Sequence, residues 1–150
     1  MISIQHEGFP LEEKKFSAML GKIAKRVGLR GAVTIRLAGS DEVRGLNRRY
    51  RCKDRATDVL SFPLGEKLPG GRLYAGDVLI CLPVAETQAR ENGQSLEREL
   101  LLLMIHGLLH LRGHDHETDR GEMLGLQRSL FAEFSRGLPC TWPPWSRCWS

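Results

Sequence analysis

Apolar positions recur along this chain with two different periods, and those periods divide it into elements. Leu11, Phe16, Met19, Leu20, Ile23 and Val27 return at helical spacing, which predicts a helix over residues 11–27 closed by Gly28. Residues 2–6 read as a short strand before it. Val33, Ile35 and Leu37 alternate with other residues, the signature of a half-buried strand. Ser40 followed by Asp41 and Glu42 marks the next helix start, a hydroxyl cap and then carboxylates that complement the dipole. That helix is expected to end near Tyr50. Residues 57–62 read as a strand closed by Pro63. Residues 63–72 hold three glycines and two prolines, so they are expected to form a loop, either a mobile flap or a plain surface connection.

Farther along, residues 73–82 contain the continuous apolar run Val78-Leu79-Ile80-Cys81-Leu82, as in a strand covered on both faces. Pro83 opens a helix to about Asn92, and Gly93 comes after it. Ser95 caps the next helix, which carries Glu97 and Glu99 in its first turns and continues to Arg112. Residues 100–105 make it apolar nearly all round, so it is expected to be the buried central helix. A last amphipathic helix is predicted over 117–134 with Met123, Leu124, Leu126, Leu130 and Phe134 inward. No repeat and no domain boundary appear before residue 137, which makes 1–136 one unit. The tail 137–150 holds three prolines and all three tryptophans, Trp142, Trp145 and Trp149, and lacks periodicity. It is expected to be a loosely ordered appendage, with base stacking by the tryptophans beside Arg147 as the functional alternative.

Composition narrows the class without choosing a function. A chain of 150 residues, 41% hydrophobic and 27% charged, suits a single soluble globular domain with a real core. Its longest fully apolar run, 100–105, is far too short to span a bilayer, so no membrane contact is expected. Residues 1–15 carry acids and no leader-like apolar core. The cysteines Cys52, Cys81, Cys140 and Cys148 show no C-x2-C pairing and read as reduced thiols of a cytoplasmic protein. A net charge of +4 permits a polyanionic partner without demanding one.

The chemistry concentrates in residues 106–116, which hold four of the chain's five histidines. His106 and His110 are four apart, so on a helix both imidazoles project from one face, a geometry that suits two ligands of a zinc ion. Gly113 sits where the helix would end. If it ends there, the reversal brings His116 back as a third nitrogen; if the helix continues, His114 completes an i, i+4, i+8 row instead. Three protein ligands with one open position describe a catalytic zinc. The spacing matches the metzincin peptidase motif in ligands and turn, but Gly107 stands where the peptidase has its general-base Glu.

A second constellation lies upstream. Residues 44–55 contain Arg44, Arg48, Arg49, Arg51, Lys53 and Arg55 against the single acid Asp54, which alone would read as a solvated helix face. Together with the residues downstream of it, the pattern is specific. Tyr50-Arg51-x-Lys53-Asp54-x-x-Thr57-Asp58-Val59-Leu60-Ser61-Phe62-Pro63, then Gly76-Asp77-Val78, then His106-Gly107-x-Leu109-His110-Leu111-x-Gly113-x-Asp115-His116 resemble the YbeY family of bacterial zinc-dependent endoribonucleases, also described as rRNA maturation factors. His114 stands where the family often has Tyr, and the Trp-rich tail has no counterpart.

The resemblance implies a compact α+β domain, a small mixed sheet packed with about five helices, and a zincin-like H-x3-H-x2-G-x2-H site at a cleft. It implies one zinc per chain held by His106, His110 and His116, with Arg51 near the cleft as a phosphate contact; Arg48, Arg49 and Lys53, in the same basic run, are further candidates for substrate contact. It further implies action on single-stranded RNA, in 16S rRNA 3′-end maturation and ribosome quality control, with the small ribosomal subunit and the GTPase Era as partners. The chemistry of the residues agrees. A zinc-bound water would be acidified toward a pKa of about 7, and a guanidinium can grip a phosphate through its planar fork. Zinc hydroxide and a ribose 2′-hydroxyl both remain open as nucleophile. Asp115, Glu117 and His114 are candidates to support the ligands or accept a proton, and Asp115 can equally cap the next helix. Two other readings stand beside this one: a ribosome-associated assembly factor with a mainly structural zinc, and a zinc peptidase, disfavoured by Gly107.

Overall fold

The structure is a computed structural model and describes residues 2–6, 11–52, 57–113 and 120–139. Among these residues the strands are β1 (Ile2–Gln5), β2 (Ala32–Ala38), β3 (Val59–Lys67) and β4 (Leu73–Cys81). The helices are α1 (Glu13–Val27), α2 (Ser40–Arg51), α3 (Leu82–Glu91), α4 (Leu96–Arg112) and α5 (Glu122–Phe134). The sheet runs β1-β2-β4-β3; β1, β2 and β4 are parallel, and β3 pairs antiparallel with β4. This is the α+β domain with a small mixed sheet that the family resemblance implies.

Alternation along the strands decides which helix covers which face. Val33, Ile35 and Leu37 of β2 and Val78 and Ile80 of β4 are buried with Phe16, Leu20 and Ile23 of α1 and with the core of α4. The intervening positions point the other way. There Leu79, Cys81, Leu60 and Ala38 pack under Val43 of α2, with Leu46 beside it. β4 is therefore covered on both faces, which is why its sequence reads as an unbroken apolar run. α4 is the central helix that its sequence predicts: Leu100, Leu101, Met104, Ile105, Leu108 and Leu109 are each 0% exposed. Each such side chain contributes roughly 1.5–3 kcal/mol by leaving water, so the helix carrying the histidines is a fixed platform.

Several boundaries differ from the sequence expectation, each for a local reason. Ser40 is the first residue of α2, not its cap; Gly39 occupies the cap position, and the Ser40 hydroxyl lies 3.8 Å from Cys81 Sγ. Half of the expected loop over 63–72 is strand. β3 runs through Pro63 to Lys67, and the proline is tolerated because β3 is an edge strand whose outward N–H groups need no ladder partner. The register shifts between Pro63 and Glu66, and a tight turn closes the hairpin with Leu68 N–H bonded to Arg72 O at 2.6 Å. A hairpin thus stands where the sequence predicts a loop.

In α5 the helix begins at Glu122 behind a left-handed Gly121, not at 117, and residues 117–119 lie outside the described residues. Leu124 is 46% exposed and not inward, because the buried stripe of this helix passes through Met123 and Leu130 and a one-residue step turns a side chain about 100° away. After α5 a short 3₁₀ turn leads to Leu138, which is buried. Ser95 Oγ and Arg98 Nε both donate to Pro139 O, so the chain just after residue 137 is tied to the start of α4. Ser95 also caps α4 as expected, accepting the Arg98 N–H at 3.2 Å. Cys52 and Cys81 are free thiols, while Cys140, Cys148 and the three tryptophans fall outside the described residues. Among the described residues no helix is long and apolar enough to cross a membrane.

Candidate metal centre

α4 meets β4 at Gly107. A Cβ there would stand 2.6 Å from Val78 Cγ1, 3.0 Å from Cγ2 and 3.3 Å from Cβ, far inside normal carbon contact of about 3.5–4.0 Å. Only glycine allows the helix to lie this close to the sheet, and no side chain, a glutamate least of all, fits at this position. The absence of the peptidase base is thus built into the packing. One turn-step around the helix, His106 and His110 emerge from the core half-buried.

Their Nε2 atoms lie 3.0 Å apart, with ring centroids 4.6 Å apart and planes inclined at 69°. Two nitrogens bound to one tetrahedral zinc at about 2.0–2.1 Å stand roughly 3.3 Å from each other. The pair is therefore within a few tenths of an ångström of a shared-ligand geometry. On its other side His106 Nδ1 is 2.8 Å from Gln127 Oε1 of α5. Sequence reasoning missed Gln127. The signal was there: it sits four residues after Met123 and three before Leu130, a polar residue on the inward stripe.

α4 ends where the sequence predicts. Gly113 is left-handed (φ 105°), its N–H reaches His110 O at 3.0 Å, and Arg112 Nε donates to Val27 O at the end of α1. The break at Gly113 is the one that favours His116 over a continuous His106, His110, His114 row. His114, Asp115, His116 and Glu117 lie outside the described residues. Among the described residues no group of three or more His, Cys, Asp and Glu side chains is placed to hold a metal. The two imidazoles that are described fit two nitrogen ligands of one zinc, with converging ring nitrogens and partial exposure.

Arg51 is the last residue of α2 and is exposed; its Nη2 donates to Ser61 O at 3.3 Å. Ser61 pairs with Val78, and Val78 is the residue against Gly107. The guanidinium is therefore anchored on the edge strand beneath the part of α4 that carries His106. Cys52 is next, in the left-handed conformation, and ends the helix. Arg48 and Arg49 are exposed on the same turn and line a shallow depression with Asp41, Glu42, Gly45 and Leu46, while Lys53 falls outside the described residues.

The rest of the motif is scaffolding for this edge. Asp58 Oδ1 accepts the Val59 N–H at 2.8 Å, Oδ2 accepts from Gln88 Nε2 at 3.4 Å, and its carbonyl accepts the Cys81 N–H at 2.9 Å. It thus fastens the start of β3 to β4 and α3. Nearby Glu99 is only 2% exposed and takes a 2.5 Å bond from Gln94. Burial pushes its carboxyl above the ordinary range, the bond from Gln94 pulls it back, and the Asp58 charge raises it further. On the opposite face of the sheet a groove of about 420 Å³ lies between Tyr50, Phe62 and Leu64, floored by Thr34, Arg36 and Asp77. Asp77 is held there by the Tyr74 hydroxyl, so within the second motif Asp77 faces this groove while Val78 packs against Gly107 beneath the histidine helix.

Comparisons with known proteins bear on the family and the fold. The family model described as Endoribonuclease YbeY matches residues 2–135. A protein named Endoribonuclease YbeY from Koribacter versatilis is 46% identical over 130 residues, which are 87% of this chain and 82% of that one. Its namesake from Aquifex aeolicus is 51% identical over 109 residues, covering 71% and 72% of the two chains. The solution structure of a Thermotoga maritima protein superposes with a TM-score of 0.65 at 35% identity, covering 90% of this chain and 89% of the other. With matching motifs, fold and most of its length shared, the chain belongs to the YbeY family.

Proposed function

We propose that this protein is a zinc-dependent endoribonuclease that cuts single-stranded RNA, with the 16S rRNA precursor at its 3′ end as substrate. Membership of a family named for endoribonuclease activity supports RNA cleavage and a role in rRNA processing. The observation that carries the metal reading is the convergence of the His106 and His110 Nε2 atoms, 3.0 Å apart on a rigid helix beside a glycine that admits no side chain. Their partial exposure suits an open catalytic position better than a closed structural one.

In this reading His106 and His110, with His116 as the third nitrogen, hold one zinc per chain. When bound, zinc supplies a Lewis acid that polarises a phosphoryl oxygen and acidifies water. Arg51 keeps one hydrogen bond to the β3 edge, and its remaining N–H groups are available for a phosphate. There it would neutralise charge that builds on the non-bridging oxygens during displacement. Arg48, Arg49 and Lys53 attract the RNA backbone without reading sequence, which makes binding salt-dependent. Asp115, Glu117 and His114 come directly after Gly113 and are the groups on hand to accept a proton or steady a ligand. A cytoplasmic setting, docking on the small ribosomal subunit, contact with the GTPase Era and a part in ribosome quality control belong to the same proposal.

The test is cleavage of matched single-stranded and duplex RNAs by purified protein. Wild type and His6→Ala should cut the single strand, His110→Ala should not, and peptides should stay intact. A 2′,3′-cyclic phosphate end would identify the ribose hydroxyl as nucleophile, and a 5′-phosphate would identify water. RNA cleavage by His110→Ala at the wild-type rate would refute the proposal.

A further inference from the structure

We infer that Gln127 is a positioning residue for the histidine pair: its side-chain carbonyl holds His106 in the single tautomer that leaves Nε2 bare for a metal. This rests on reading His106 and His110 as ligands of one ion.

A neutral imidazole carries its proton on one ring nitrogen, and the partner of the other nitrogen decides which. His106 Nδ1 lies 2.8 Å from Gln127 Oε1, an oxygen that has no proton to give. That contact is a hydrogen bond only if Nδ1 carries the proton. The lone pair then sits on Nε2, the atom 3.0 Å from His110 Nε2 and directed at the position the ion would take. The other tautomer would place a proton where the metal must bind.

The placement of Gln127 has little freedom. It lies on the α5 stripe between Met123, 1% exposed, and Leu130, 2% exposed, and both are locked into the core with α4. Gln127 itself is half-buried, and His106 is the partner the structure provides for its Oε1. The amide orientation is the critical feature. Turned over, its NH2 would donate to Nδ1, force the proton onto Nε2 and close the site. A carboxylate at this position can only accept, so Gln127→Glu should preserve the metal-ready tautomer, whereas Gln127→Met keeps the shape and removes the acceptor.

The experiment uses the full chain, with zinc alone as probe. Nitrogen-15 NMR of the metal-free protein should show His106 protonated at Nδ1 in wild type and in Gln127→Glu, and a mixture of tautomers in Gln127→Met. Chelator competition should show zinc held about 10–100-fold more weakly by Gln127→Met, and at least as tightly as wild type by Gln127→Glu. Melting temperature confirms that each variant is folded; should Gln127→Met fail to fold, the Gln127→Glu spectrum and affinity still decide. A proton on His106 Nε2 in wild type, or equal zinc affinity in wild type and folded Gln127→Met, would overturn the positioning role alone. A wild-type protein that binds no zinc would overturn the ligand reading as well.

Discussion

Replacing Gly107 with alanine tests how closely α4 is pressed onto the sheet. The new methyl would stand 2.6 Å from Val78 Cγ1, about 1 Å inside normal contact. Rotating Val78 gives only partial relief, since a turn of χ1 can move one methyl aside while the other methyl and Cβ, 3.3 Å away, stay against the new group. The alternative is to lift α4 by about 1 Å, loosening a helix whose core side chains are fully buried. Overpacking of this kind costs roughly 1–3 kcal/mol, while the better helix propensity of alanine returns up to about 1 kcal/mol. The net loss should be ~0.5–2 kcal/mol, read as the urea midpoint at an unchanged slope. Val78→Ala alone should destabilise by leaving a cavity. Combined with Gly107→Ala, it should cost less than the two single changes together by at least about 1 kcal/mol, because the new methyl occupies the vacated space. A Gly107→Ala variant as stable as wild type, with a strictly additive double variant, would refute the close-packing argument.

Other consequences are equally open to measurement. Arg51→Lys keeps the charge but loses the planar fork, so single-turnover cleavage of single-stranded RNA should slow about 30- to 1000-fold (~2–4 kcal/mol) with unchanged zinc content and melting temperature. Arg44→Lys, earlier on the same helix, should be nearly silent, and equal rates for Arg51→Lys and wild type would leave only bulk charge at that position. Since α4 stops at Gly113, His116→Ala should weaken zinc binding far more than His114→Ala in a chelator titration; the opposite order would reassign the third ligand. Burial raises the Glu99 carboxyl above its ordinary 4.5, so the native state holds that proton more tightly than the unfolded chain and stability falls as pH climbs from that value. Glu99→Gln should match wild type in melting temperature near about pH 4 and gain on it toward about pH 8, and parallel curves would contradict the assignment.

How much of this was legible in the sequence depended on whether a feature was local. The two faces of β4, the length of α4, the Ser95 cap and the Gly113 stop are written in short windows, through alternation, an apolar run and residues with special backbone roles. The strand through Pro63 was not, because a proline reads as a terminator until the strand is known to lie at an edge. Leu124 reads as inward because an apolar residue beside Met123 looks like part of the same face until the helix phase is fixed. Gln127 acts through His106, 21 residues away, and only the packing of α5 on α4 brings the two together; Glu99 meets Gln94 locally, but its burial comes from the packing around the start of α4. The two histidines belong to the legible part because four residues on a helix is itself a distance.

The central claim is that one metal held by the histidine pair makes this chain cut RNA. It is tested most directly by adding zinc back to metal-stripped protein while cleavage of a single-stranded RNA is monitored and bound metal is counted. The rate should rise from background and break sharply at one zinc per chain, with no rise in His110→Ala. Full activity in the stripped protein, or a rise that His110→Ala shares, would contradict it.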